Sequence, residues 1–195
     1  MAGLDVAPWS VAPRGEAAQL ATRLHRLVPR LETRRLVLCA PALPDFDPYA
    51  AILTSDRARF MAGPFDREAA WLDFAQYTAG WLLRGAGLWG FRLRDGGAVL
   101  GFITIGMECG DREHELGYFL TPEAEGHGFA SEAAATARDF ALKTHGLPSL
   151  VSYIDPENTR AARVAHRLGA WRDTKAEAEF ATPVHVYRHG VGPHG

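Results

Sequence analysis

The sequence predicts an α/β domain: a sheet of mixed strand direction with helices on both faces. Three observations lead there. Apolar residues switch between helical and alternating periods several times along the 195 residues. Two alternating apolar stretches flank Asp95-Gly96-Gly97, the residues that a tight hairpin turn favours. A strand-like run ending at Leu120 meets a loop with two glycines and then, at once, an alanine-rich helix.

Length and composition agree with this class. A chain of this size is one domain with a substantial core, and 47% hydrophobic with 23% charged residues is a globular composition. A formal charge of −2 and the lack of a long basic run argue against nucleic acid. The two cysteines, Cys39 and Cys109, make neither a disulfide framework nor a zinc motif, and a reducing cytoplasm is the expected setting. No apolar stretch approaches the roughly 20 residues that cross a bilayer. The start, Met1 to Trp9, lacks the basic and apolar segments of a signal peptide, so no membrane role is expected.

Residues 1–30 read as an N-terminal extension. Pro8 and Pro13 interrupt it, and Glu16 to Val28 sets Leu20, Leu24 and Leu27 at helical spacing. A short amphipathic helix is expected, packed on the domain or, less simply, offered to a partner. The domain proper, 31–189, opens with Leu31 to Leu38, whose second half suits a strand. Helices are expected over about 45–55 and about 67–84. The second carries Trp71, Phe74, Tyr77 and Leu82, too aromatic for a fully solvated helix.

Strands follow at Leu88 to Leu93, Val99 to Ile105 and Glu113 to Leu120. A long helix runs from Gly128 to Thr144, and Leu150 to Ile154 is a short apolar strand. Asp155-Pro156-Glu157-Asn158 opens another helix, which Gly169 ends. Two last strands are expected near 171–180 and 184–189, and the tail 190–195 should be loose. The order β-α-α-β-β-β-α-β-α-β-β matches no all-parallel pattern.

The strongest chemical signal is Leu120-Thr121-Pro122-Glu123-Ala124-Glu125-Gly126-His127-Gly128-Phe129-Ala130-Ser131-Glu132. N–H groups in the first turn of a helix lack intrahelical partners, and glycines let a phosphate approach them. The plain alternative is a glycine turn that only joins strand to helix. There is no GxxxxGK[ST], and Ser131 stands where a dinucleotide fingerprint has its third glycine.

With Glu115-Leu116-Gly117-Tyr118-Phe119-Leu120 before it, this block resembles the GNAT superfamily of N-acetyltransferases. It is most similar to the branch named for the RimJ/RimL ribosomal-protein N-acetyltransferases. Leu31-Glu32-Thr33-x-Arg35-Leu36, Asp155-Pro156-Glu157-Asn158-x-x-Ala161 and Leu168-Gly169-Ala170 add matches in the family's order, over residues 31–189.

The resemblance implies a mostly antiparallel sheet with one splayed strand pair, the acyl-pantetheine arm of acetyl-CoA lying in the gap. Phe119, Leu120 and Thr121 match positions lining the arm. Gly126, His127, Gly128, Phe129, Ala130 and Ser131 match the pyrophosphate turn. Asn158 matches an asparagine beside the pantetheine, its alternative role being a helix cap. Glu115 matches a carboxylate that serves as base, often through water; the alternative is a solvated strand carboxylate, with Glu113 and Glu108 as fallback bases.

Two departures stand out. Glu123 takes a position where the family often has Gln or Arg, so it is expected to face solvent. Ala161 replaces a serine that can donate to the leaving thiolate, with Ser152 and Tyr153 as weak substitutes. His185-x-x-x-His189 lacks a third ligand, so no metal is expected. Trp71, Trp81 and Trp89 fit a core better than an acceptor pocket.

The leading expectation is therefore a cytoplasmic enzyme that moves an acetyl group to a protein N-terminus or a small-molecule amine. A non-catalytic acyl-CoA sensor on the same fold and an unrelated nucleotide-binding α/β domain are the alternatives. The extra helix and the sheet edges are compatible with a homodimer.

Overall fold

The computed structural model describes residues 8–190, so residues 191–195 of the expected loose tail lie outside the described residues. Eight strands form one sheet: β1 (Leu31–Glu32), β2 (Leu36–Cys39), β3 (Leu88–Leu93), β4 (Gly96–Gly106), β5 (Glu115–Leu120), β6 (Val151–Ile154), β7 (Trp171–Arg172) and β8 (His185–Arg188). Their order is β1-β2-β3-β4-β5-β6-β8-β7. Every neighbouring pair is antiparallel except β5 and β6. The helices are α1 (Gly15–Leu27), α2 (Phe46–Leu53), α3 (Arg67–Arg84), α4 (Phe129–Asp139), α5 (Thr159–Arg167) and α6 (Thr174–Glu177). The mixed, mostly antiparallel sheet with helices on both faces is the expected architecture.

The register of β4 on β5 decides what each face carries. Residues directly opposite share a face, and successive residues alternate. Phe102 with Phe119, Thr104 with Gly117 and Gly106 with Glu115 therefore turn the same way. Their face is covered by α2 and α3, whose Phe46, Tyr49 and Phe74 bury with Phe102 and Leu88 in one aromatic cluster. Ile105 with Leu116 and Ile103 with Tyr118 face the other way, against α4. There Ala133, Ala134 and Ala137 are fully buried, and their small side chains let the helix lie close on the sheet.

The structure departs from expectation in three places. Leu20, Leu24 and Leu27 of α1 are 49%, 45% and 77% exposed, so the helix forms without being packed into the core. The stretch expected as one strand over 171–180 is a two-residue strand and then α6, because the Asp173 side chain accepts the Ala176 N–H at 3.1 Å and caps a helical turn. The long helix after Gly128 widens into a π-helical turn at Phe140–Thr144. Trp89 is core, fully buried, and the partly buried Trp81 packs edge-on against it with its Nε1–H on the Leu88 carbonyl at 2.8 Å. Trp71 packs against Phe46. Among the described residues no helix is long and apolar enough to cross a membrane.

Candidate active site

The one parallel contact of the sheet is where the strands part. β5 and β6 share a single register pair, Glu115 with Val151, closed by the Val151 N–H on the His114 carbonyl at 3.0 Å. Past that point side chains take the place of the ladder. The Ser152 hydroxyl donates to the Leu116 carbonyl at 2.7 Å, and the Tyr153 N–H donates to the Glu115 carboxylate at 3.2 Å. Beyond them the strands diverge. Thr121 gives its N–H to Leu100 of β4 at 3.0 Å, so alternation turns the N–H and C=O groups of Tyr118 and Leu120 away from β4, toward the gap. Strand-edge groups of this kind suit an extended amide ligand.

Glu115 sits at the closed end of the gap, only partly exposed and in no ion pair among the described residues. Burial pushes its carboxyl up to about 7, against the Tyr153 N–H bond, and the charges of Asp111 and Glu108 push the same way. A carboxylate that titrates near neutrality is matched to proton transfer there. The two fallback carboxylates are engaged elsewhere. Glu113 is bonded to both Arg188 nitrogens and to the Ser149 hydroxyl, and the Arg188 bond holds it below the usual carboxylate range. Glu108 accepts the Tyr77 hydroxyl.

At the far end of β5 the chain makes a short 3-10 turn and enters α4. Gly126 and Gly128 have φ of +79° and +77°, the left-handed region that glycine tolerates, and a Cβ on Gly126 would meet nothing within 4 Å. Gly128 is the N-cap and no side chain caps the helix, so the opening N–H groups at Phe129 to Ser131 have no helical partner. Glu123 is exposed, and Glu125 is neutralised by Arg57 and by Arg160, the latter at 2.6 Å.

Arg35, seen in the sequence only as part of an opening motif, reaches this turn. Its Nε donates to Glu132 at 2.7 Å, one terminal nitrogen donates to the His127 carbonyl at 3.0 Å, and the guanidinium lies 4.6 Å over the Phe129 ring. The other terminal nitrogen has no partner among the described residues and is 3.6 Å from where a Gly128 Cβ would stand. Two sequence blocks carrying opposite charges, Arg35 and Glu132, were the available signal.

The remaining expected site residues are dispersed. Asn158 caps α5 through the Ala161 N–H at 3.1 Å. The Phe119 ring turns to the α2–α3 face against Tyr49, with centroids 5.1 Å apart, whereas Leu120 packs toward the α4 side. Thr121 is buried, and the His127 ring stacks on Phe129. Ser152 is buried, with His189 Nε2 3.0 Å from its oxygen, and burial lowers that imidazole to about 4. The Tyr153 ring packs against Phe180. Tyr118, not singled out in the sequence, also borders the gap: its hydroxyl crosses from β5 to the Ala161 carbonyl at 2.9 Å, and burial keeps it protonated.

Comparisons with known proteins bear on this geometry. Residues 35–170 match the family described as the acetyltransferase (GNAT) domain. The chain is 30% identical over 81 residues, 42% of its length, to the uncharacterized N-acetyltransferase YnaD of Bacillus subtilis (strain 168), and the match spans 48% of that relative. It is similar to an acetyltransferase from Agrobacterium tumefaciens str. C58, with 37% identity, a TM-score of 0.79, and coverage of 84% of this chain and 95% of that one. The RimL ribosomal L7/L12 alpha-N-protein acetyltransferase, solved with coenzyme A, shares the fold at 15% identity and a TM-score of 0.63, over 82% of this chain and 95% of that one.

Proposed function

The chain belongs to the GNAT acetyltransferase family, and from that premise we propose that it is an N-acetyltransferase using acetyl-CoA and a primary amine. The observation that carries the reading is Glu115, a half-buried carboxylate titrating near 7 at the closed end of the β5–β6 gap. A sensor that only bound acyl-CoA would need no such group. Residues 31–189 make up the catalytic domain on this reading, with 1–30 as an extension and the RimJ/RimL-like branch as its place in the family.

The residues present fit acetyl-CoA. The uncapped start of α4, with its two positive-φ glycines, suits the pyrophosphate, and the gap-facing backbone of Tyr118 and Leu120 suits the pantetheine amides. Arg35 offers its unpaired terminal nitrogen to a phosphate as a charge-assisted donor. Acetyl-CoA supplies an activated acyl group: a C–N bond to the amine forms, the C–S bond breaks, and coenzyme A departs as its thiol.

What the chain supplies is proton management. Glu115 takes the proton that the attacking ammonium must lose, directly or through a water. Ser152 is committed to Leu116 and His189, and Ala161 has no hydroxyl to give. Tyr118 is the protonated hydroxyl that faces α5 across the gap.

The test combines binding with turnover. Acetyl-CoA at a hundredfold over its Kd should raise the melting temperature by about 5–10 °C, since a ligand bound only by the folded state adds about 2.7 kcal/mol. Thiol release with a panel of amines should follow. Gly128→Asp, which adds bulk and negative charge where the phosphate would sit, should abolish the shift in folded protein. Binding without thiol release for any amine would leave only the sensor.

A further inference from the structure

The face of β4 and β5 that turns to α2 and α3 carries polar groups that the transfer chemistry alone does not require. Thr104, directly opposite Gly117, is 5% exposed, and its hydroxyl has no hydrogen-bond partner among the described residues. It lies over Gly117, where any Cβ would overlap it, between the side chains of Glu115 and Phe119 on the same face. The residue is buried, yet its oxygen keeps some open surface, so an entering ligand can reach and bond it. Beside it the Tyr77 ring covers Gly106, the register partner of Glu115, and the Tyr77 hydroxyl donates to Glu108. Tyr49 packs against Phe119 and Phe102 and donates to Asp73. Asp111 accepts the Glu108 N–H at 2.5 Å, folding that loop back on itself.

Asp73, Glu108, Asp111 and Glu115 thus gather around one face, and none of them is ion-paired among the described residues. Several half-buried acids elsewhere do hold an arginine, Glu113, Glu132 and Asp173 among them. Uncompensated carboxylates beside a hydroxyl without a partner favour a ligand that brings positive charge and N–H donors.

We propose that the acceptor is a diamine or polyamine: one nitrogen is deprotonated at Glu115 and bonded by the Thr104 hydroxyl, while a second ammonium is held by Glu108, Asp73 and Asp111. This rests on the acetyltransferase reading and names its substrate class. The ammonium gives one proton to Glu115, the neutral nitrogen gains the acetyl carbon as the C–S bond breaks, and a second nitrogen proton passes to the departing sulfur, leaving an amide and the coenzyme A thiol. The distal ammonium keeps its charge throughout. Amines bearing a carboxylate are repelled by the same groups.

The test compares 1,4-diaminobutane and spermidine with n-butylamine and L-serine. Thiol release gives kcat/KM, and titration calorimetry gives binding to protein loaded with coenzyme A. The diamine should exceed the monoamine by at least about tenfold in both measurements, and the advantage should shrink as salt is raised. Glu108→Gln, which keeps a partner for Tyr77, should collapse that ratio mainly through KM. Thr104→Val, which keeps the shape and removes the hydroxyl, should weaken diamine binding. Equal use of butylamine, better use of serine, or a ratio indifferent to Glu108→Gln and to salt would overturn the proposal. Protein that is stabilised by acetyl-CoA yet acetylates neither diamine overturns this inference alone. Protein that acetyl-CoA does not stabilise overturns the reading on which it rests.

Discussion

At the scale of single residues, the proposed chemistry rests on one carboxylate. Glu115 was visible in the sequence as a strand residue in a family block, but its altered proton affinity was not. That comes from burial at the closed end of the gap, with Asp111 and Glu108 adding negative charge nearby. Glu115→Gln should lower kcat by about 10²-fold or more, with acetyl-CoA affinity almost unchanged. Wild-type kcat/KM should climb through about pH 7, and the variant should lose that inflection. Stability supplies a second readout with a definite sign. The folded pKa is raised, so stability is fully present below the unfolded value of 4.5 and falls as pH rises through about 7. The glutamine variant should therefore melt higher than wild type at pH 8 and not at pH 4. Equal melting curves at both pH values, with wild-type turnover, would return Glu115 to a passive strand carboxylate.

At the scale of elements, the junction of the β1–β2 turn with α4 is the informative one. Thr33 and Arg35 both bond Glu132, the first glutamate of α4, and so tie the sheet edge to the proposed phosphate turn. The Thr33 hydroxyl and the Arg35 N–H also bond one another, which fixes the turn from which the guanidinium projects. Arg35→Ala should raise the KM for acetyl-CoA roughly 10- to 100-fold, the scale of a hydrogen bond to a charged group. It should leave turnover with acetyl-pantetheine, which has no phosphate, near that of wild type. A purely structural tie predicts the same loss with both donors. The sequence held both partners, but they stand 97 positions apart, and only the packing of α4 on the sheet brings them together.

At the scale of the molecule, the N-terminal helix stands apart from the core. α1 buries no residue fully, and its leucines lie largely in solvent. Trp9 is the exception in its segment: its ring stands 5.5 Å from Phe46 and 5.1 Å from Trp71, with Arg67 above it. Removing residues 1–28 should cost the aromatic and cation–π contacts of Trp9, about 1–3 kcal/mol. That loss lowers the melting temperature by roughly 2–10 °C in a domain of this size. Cooperative unfolding and the acetyl-CoA response should both survive. An unfolded or ligand-blind truncated protein would show that the extension belongs to the domain.

The sequence by itself determined the class of sheet, most of its elements and the place of the glycine turn, because periodicity, turn residues and helix signals are local properties. The two-residue β7 escaped it: Asp173 is an ordinary strand-end residue until its side chain caps Ala176. The unpacked face of α1 escaped it too, since leucines at helical spacing say that a helix is amphipathic and not what covers it. Tertiary structure alone decided where β5 and β6 part, because the bonds that replace the ladder there come from Ser152 and Glu115, on strands joined only through α4. It also decided that Thr104, Tyr77, Glu108 and Glu115 share one face, which follows from the β4–β5 register and the lie of α3 across it. Register and helix placement are set by long-range packing, so the groups that would choose a substrate become neighbours only in the folded chain.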